Sequence, residues 1–477
     1  MTDDRPMNAR LEVVREQLSQ RGQLHALRWW DERSATQRGE LLADLESIPW
    51  HLLDPLIATH VRHRPPRHIP ENIEPAPVFP VEPAPHQRTL YDEARELGRS
   101  LIREGKVAAF TVAGGQGTRL GFDGPKGALP VTPVTSKSLF QLFAETILAT
   151  RRKHAVATPW YIMTSPANHE ATIRFLEKHQ FFGLPEQDVI PFPQGMLPAF
   201  DLQGRLLLEA KHRLAISPDG HGGSLKAMVL SGALAEMRRR GIEIISYFQV
   251  DNPLVKPFDP LFIGLHSKTQ SEMSTKVTPK ADDFERVGNV CMHDGRVTMI
   301  EYSELPNELA TAQNQDGSRR FNAANLAIHL FDVAFVDRVI SESFQLPFRR
   351  AEKVVPFVDD SGALVTPTTP NAVKLETFVF DVLPLAKNPL VLEVDRAEEF
   401  SPIKNPTGVD SLESAKRDQI ARACRWLEKA GVKLARPATG AELTVEISPL
   451  AALEADDLNP SVEIVPHVGG GNRFLIG

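Results

Sequence analysis

Residues 107–127 read VAAFTVAGGQGTRLGFDGPKG. The opening VAAFTV is short, uncharged and bounded by glycine, the pattern of a strand buried on both faces. Six glycines follow, at 114, 115, 117, 121, 124 and 127, with Arg119 and Lys126 among them. A turn so poor in Cβ atoms lets a ligand come close, and its free N–H groups suit a phosphate. Arg119 and Lys126 add fixed positive charge, and a guanidinium can engage a phosphate through two parallel bonds. Glycines alone would mark only a tight turn. With two cations on the same turn, a phosphate site is the stronger reading.

Two phosphate loops of known spacing do not fit. A G-x-x-x-x-G-K-[ST] loop fails because Lys126 is followed by Gly127. A G-x-G-x-x-G loop fails because Leu120 stands where the third glycine belongs, with Gly121 one place late. Cations in the turn itself point to an excess of negative charge, as on a triphosphate.

Outward from the turn, residues 107 to about 400 alternate short apolar runs with amphipathic segments. SLFQLFAETILATRRKH, NHEATIRFLEKHQ and SLKAMVLSGALAEMRRRG read as helices, while WYIMTS, DVIPF and IEIISYFQV read as strands. This alternation predicts an α/β fold with a doubly wound, mostly parallel, Rossmann-like sheet. Ligand groups in such sheets gather at strand carboxyl ends, where Gly114, Thr164 and Asp251 fall. Asp251, directly after IEIISYFQV, is the leading carboxylate. A hard oxygen there would hold Mg2+ against an α-phosphate, although Asp-Asn-Pro is also a common turn cap.

The flanks differ. Residues 8 to 60 read as helical, and 8 prolines among residues 64–85 make an extended connector. From about residue 411 one amphipathic helix precedes short strand-like pieces, ELTVEIS and VEIVPHV. The expected organisation is 1–88 as a helical N-terminal segment with a proline-rich strap, 89–410 as the catalytic domain, and 411–477 as a small C-terminal α+β module.

The composition is that of a globular protein, 42% hydrophobic with a formal charge of −7. It gives no reason to expect nucleic-acid or membrane binding. No apolar run approaches a membrane span, and the polar, acidic start shows no signal peptide, so a cytoplasmic location is expected. Two distant cysteines, Cys291 and Cys424, argue against a disulfide framework or a zinc cluster.

AGGQGTRLG followed by PKG resembles the signature of the eukaryotic-type UDP-sugar pyrophosphorylases, nearest to the UDP-N-acetylglucosamine pyrophosphorylase branch. FPQGMLPAFD, PDGHGG, VDNPLVKPFDPLFIG, IEYSE, FNAANLAIH, KLETFVFD and EEFSPIKN stand in the family's order over roughly residues 90 to 410. The resemblance implies a nucleotidyltransferase that forms a UDP-sugar and pyrophosphate from UTP and a sugar 1-phosphate. N-acetylglucosamine 1-phosphate is the first expectation and glucose 1-phosphate the alternative.

It also implies roles. Ala113, Gly114 and Gly115 would bind the nucleotide and Gln194 would read uracil, though a lone surface glutamine would need no role. Gly220 and His221 would approach the base, with His221 standing where relatives commonly have asparagine. Gly288, Glu301 and Asn325 would contact the sugar. Taken alone, Glu301 reads as an exposed strand residue and Asn325 as a helix start. Lys404, and less so Lys374, would hold phosphate rather than stand as solvated surface lysines. The reaction implied is direct attack of the sugar phosphate on the α-phosphorus, catalysed by positioning and charge neutralisation at Arg119, Lys126, Lys404 and a magnesium ion on Asp251. A dinucleotide-dependent oxidoreductase is disfavoured by the misplaced Gly121, and a non-catalytic nucleotide-sugar sensor by the retained cations and carboxylate. Oligomeric state, a homo-oligomer included, is left open.

Overall fold

The strand Val107–Val112 is buried along its whole length and lies inside a ten-stranded sheet. The computed structural model that shows this describes residues 6–65, 72–341, 346–432, 443–462, 465–466 and 473–477. On one side of Val107–Val112 the parallel strands Trp160–Thr164 and Val189–Pro193 follow. On the other side lies Ile244–Gln249, also parallel. The helices Leu139–His154 and His169–Lys178 supply the crossovers that parallel neighbours require. Ser138 caps the first of them, its hydroxyl accepting from the Gln141 N–H at 3.1 Å.

Beyond Ile244–Gln249 the sheet continues through Ala323–Asp332 to Asn289–His293 and Ile73–Pro75. Met273–Pro279 and Leu390–Glu393 pair in parallel beside Ala323–Asp332, and Arg296–Ile300 pairs with Asn289–His293. Only Ala323–Asp332, Arg296–Ile300 and Ile73–Pro75 run against the other strands, so the sheet is mostly parallel, as the alternation of elements predicts. Ile73–Pro75 belongs to the proline-rich strap, and Phe79 pairs further along it with Leu392, so the strap joins the sheet as edge backbone. Its residues 66–71 lie outside the described residues.

The described chain divides into two compact units. The first draws on the described parts of Met1–His68, Gly195–Ser224 and Gln345–Asp381. Its helices Met7–Gln20, Ala35–Glu46 and Trp50–Leu56 enclose Trp30, Leu41 and Leu53, with Phe200, Val373 and Leu375 in the same core. The expected catalytic span 89–410 includes 195–224 and 346–381. The second unit holds the large sheet and the C-terminal segment.

SLKAMVLSGALAEMRRRG is expected as one helix and is two, Gly223–Leu230 and Ala233–Arg239, broken where Gly232 turns left-handed at φ +81°. The helix Leu412–Lys429 and the strand Thr444–Ile447, parallel to Arg473–Ile476, match the expected C-terminal elements. Of VEIVPHV, residues 463, 464, 467 and 468 lie outside the described residues, and Val465–Pro466 is a strand. No described helix is long and apolar enough to cross a membrane. Cys291 and Cys424 are free, and burial pushes the Cys291 thiol up to about 12.

Candidate active site

The glycine turn starts where Val107–Val112 ends. Ala113 donates its N–H to Met163 O at 2.7 Å, still in sheet register with the neighbouring strand. The chain then folds back on itself. Gly117 N–H donates to Gly124 O at 2.9 Å, and Lys126 N–H donates to Gly115 O at 3.1 Å. These bonds draw Arg119 and Lys126 onto one compact loop. Arg119 is exposed and has no ion pair among the described residues, whereas Lys126 is half-buried.

Two features fix the mouth of this loop. A Cβ on Gly114 would sit 2.7 Å from Gln194 Nε2, so only glycine lets that amide lie against the turn. Gln194 follows the strand Val189–Pro193, is 8% exposed, and donates its N–H to Thr164 O at 2.8 Å. The second feature escaped sequence reasoning. Asn168 is fully buried, and its Nδ2 donates to Ala113 O at 2.9 Å and Gly115 O at 3.1 Å. Its Oδ1 accepts from Ser165 N–H at 2.8 Å. One side chain thus ties the carboxyl end of Trp160–Thr164 to the turn. The available signal was its place, four residues past a strand that ends at the site.

Asp251 arrives from the adjacent strand. Val250 N–H donates to Val112 O at 3.0 Å, which extends the pairing past Gln249 and sets Asp251 beside the turn. Lys126 Nζ lies 3.3 Å from Asp251 Oδ2. Asp251 O accepts from Ile403 N–H at 2.9 Å, and the buried Asn252 binds the same segment twice, donating to Glu399 O at 2.6 Å and accepting from Ser401 N–H at 3.1 Å. Asn252 also went unread in the sequence. It holds the EEFSPIKN segment whose Lys404 is exposed, with its ammonium 5.6 Å from the Phe400 ring centre. Glu399 is anchored in turn by the fully buried Lys276, 2.5 Å from its Oε2.

Gly288, just before the strand Asn289–His293, and Glu301, just after Arg296–Ile300, come together with Asn325 of the neighbouring strand Ala323–Asp332. Asn325 N–H donates to Gly288 O at 2.9 Å, and Glu301 Oε1 lies 3.2 Å from where a Cβ on Gly288 would stand. Asn325 is in the strand Ala323–Asp332, not at a helix start as its local sequence reads. Its Oδ1 accepts from Ala327 N–H at 3.1 Å, beside the irregularity in the pairing with Met273–Pro279.

Gly220, His221 and Lys374 belong to the first unit. Gly220 has φ +87°, and a Cβ there would lie 2.3 Å from Thr377 O, so the space it leaves is filled by backbone. His221 stacks on Phe378 at 5.1 Å with an interplanar angle of 11°. Its Nδ1 accepts from Val379 N–H at 3.2 Å, which requires that nitrogen to be unprotonated. Burial, with a smaller push from Arg349, lowers the imidazole to about 4. Lys374 stands opposite Ala351 in the strand Ala372–Glu376.

Among the described residues no group of three or more His, Cys, Asp and Glu side chains converges. Magnesium does not need one, because it commonly takes one or two carboxylates and completes its shell with phosphate and water oxygens. A partly exposed Asp251 at a strand end fits that donor set.

Residues 72–416 match the family model described as UTP–glucose-1-phosphate uridylyltransferase. The UDP-N-acetylhexosamine pyrophosphorylase-like protein 1 of Xenopus tropicalis is 39% identical over 435 residues, covering 88% of this chain and 85% of that one. The UDP-N-acetylglucosamine pyrophosphorylase of Saccharomyces cerevisiae is 35% identical over 440 residues, covering 86% and 90%. The solved uridine diphosphate N-acetylglucosamine pyrophosphorylase of Trypanosoma brucei, 24% identical, covers 100% of this chain and 99% of its own with a TM-score of 0.82, a likeness of fold. With a family match across most of its length and relatives at these identities, the chain belongs to the UTP–glucose-1-phosphate uridylyltransferase family.

Proposed function

We propose that this protein transfers the uridylyl group of UTP to N-acetylglucosamine 1-phosphate, forming the UDP-sugar and releasing pyrophosphate. The observation that carries the reading is the meeting of Lys126 with Asp251. It joins a cationic, glycine-rich turn to a carboxylate at the carboxyl ends of two adjacent parallel strands. Relatives named as UDP-N-acetylhexosamine or UDP-N-acetylglucosamine pyrophosphorylases or diphosphorylases, at 34–40% identity, favour the amino-sugar acceptor over glucose 1-phosphate.

In this reaction an oxygen of the sugar phosphate attacks the α-phosphorus of UTP, and the bond from that phosphorus to the bridging oxygen of the β-phosphate breaks. The electron pair leaves with pyrophosphate, so the protein needs to position and neutralise rather than form a covalent bond. Arg119, Lys126 and the N–H groups of Gly114 and Gly115 hold the triphosphate, with Ala113 setting the start of the turn. Gln194 presents an amide to the base edge. Gly288, Glu301 and Asn325 accept from and donate to the sugar and its acyl group. Lys404 supplies charge from the segment that Asn252 fixes. Asp251 would hold magnesium, which when bound neutralises charge on the α-phosphate. A cytoplasmic location belongs to the same proposal and agrees with two free thiols.

The test is an assay with magnesium and UTP across N-acetylglucosamine, N-acetylgalactosamine and glucose 1-phosphates. The fastest pyrophosphate release is expected with N-acetylglucosamine 1-phosphate. No release with any of the three would end the proposal.

A further inference from the structure

The chain leaves the glycine turn through a second loop. Lys126–Ala128 is a single tight turn in which Leu129 N–H donates to Lys126 O at 3.0 Å. Leu129 O then accepts from Leu139 N–H at 3.2 Å, at the first turn of the helix Leu139–His154. Residues 130–138 are pinched off between those points. Pro130 bridges Ser138, and Val131 N–H donates to Lys137 O at 2.8 Å. Ser136 adopts a left-handed φ of +54° to close the loop. The backbone that seats Lys126 is therefore continuous with this loop.

The tip of the loop cannot satisfy its own donors. Val134 is 5% exposed, and its N–H and that of Thr135 both point at Glu446 Oε2, each at 2.8 Å. The Thr135 hydroxyl donates to Glu446 Oε1. Glu446 comes from the strand Thr444–Ile447 of the C-terminal segment, 312 residues further along than Val134. It is 4% exposed, and among the described residues no cation pairs with it. A carboxylate so placed is tolerated only because three donors converge on it, and those donors depend equally on it. Two further ties come from the same part of the chain. Gln419 Nε2 donates to Val131 O at 2.9 Å, and Ser448 Oγ donates to Glu145 Oε2 at 3.2 Å, beside Lys137 Nζ.

We propose that Glu446 is a positioning residue for uridylyl transfer, its carboxylate fixing the 130–138 loop and through it the seat of Lys126. The C-terminal segment then serves the reaction by clamping the exit of the glycine turn. This rests on the reading of Lys126 as a group that holds the triphosphate of UTP.

A double-mutant cycle in the full chain tests it. Glu446→Ala is expected to lower kcat/KM for UTP by about tenfold or more, and the isosteric Glu446→Gln by about threefold or more, in protein that keeps its helical content. In a Lys126→Ala background, Glu446→Ala should cost less than about twofold, because the group it positions is gone. Unchanged kinetic constants in folded Glu446→Gln would overturn the proposal. So would an equal loss with and without Lys126, which marks Glu446 as structural only. If Lys126→Ala itself left turnover unchanged, the fault would lie in the reading of the turn.

Discussion

Lys126 and Asp251, 125 residues apart in sequence, form a 3.3 Å ion pair in which the two side chains keep 15% and 19% of their exposure. A partly solvated pair of this kind contributes at most about 1 kcal/mol to folding. Its members are thus exchangeable, the lysine for phosphate oxygens and the carboxylate for a cation. Asp251→Asn should lower kcat by about two orders of magnitude or more while changing stability by less than about 1 kcal/mol. Steady-state kinetics beside thermal unfolding checks this. A large stability loss with kcat intact would make the pair a structural strut.

Arg119 is the cleaner probe of the turn, since it is exposed and makes no ion pair among the described residues. Arg119→Ala should reduce turnover by about 100-fold with the melting temperature within about 2 °C of the parent. Near-normal turnover would remove Arg119 from the triphosphate site.

Gly114→Ala tests the close approach of Gln194. The added Cβ would fall 2.7 Å from Nε2 and must displace the amide. KM for UTP should rise about tenfold, and preference for UTP over CTP should weaken, if that amide reads the base. A raised KM with unchanged base preference would limit Gln194 to packing.

How these residues could be read in advance depends on where their partners lie. The strand Val107–Val112, its glycine turn and Asp251 are legible because a buried apolar run and its carboxyl end are local patterns. The order of alternating elements likewise gives the parallel core. Asn168, Asn252 and Glu446 are not legible. Each acts through bonds to backbone remote in sequence, and an asparagine or glutamate looks the same locally whether it caps a turn or splints a site. Gly288, Glu301 and Asn325 stand on three separate strand ends, so only resemblance could group them. Asn325 reads locally as a helix start because asparagine is a common helix cap and alanines flank it, whereas it lies third in the strand Ala323–Asp332. The grouping of 195–224 and 346–381 with the N-terminal helices leaves no compositional mark, since both hold ordinary short strands.

The pH response of the first unit follows from His221. Unfolded, its imidazole takes a proton near 6.5, and in the folded protein only near 4. Between those values the unfolded state binds more protons, so stability is fully present above 6.5, falls as pH drops, and levels off below about 4. The gap corresponds to about 3 kcal/mol. Urea unfolding at several pH values should show wild type losing up to that much more than His221→Asn. Parallel curves would show that the folded imidazole titrates normally.

The central claim is that the glycine turn grips the triphosphate of UTP, and a crystal of the protein soaked with UTP tests it most directly. The β- and γ-phosphates should lie against residues 113–126, in reach of Arg119 and Lys126, with the base toward Gln194. Phosphates bound elsewhere, with the turn packed against its own side chains, would contradict it.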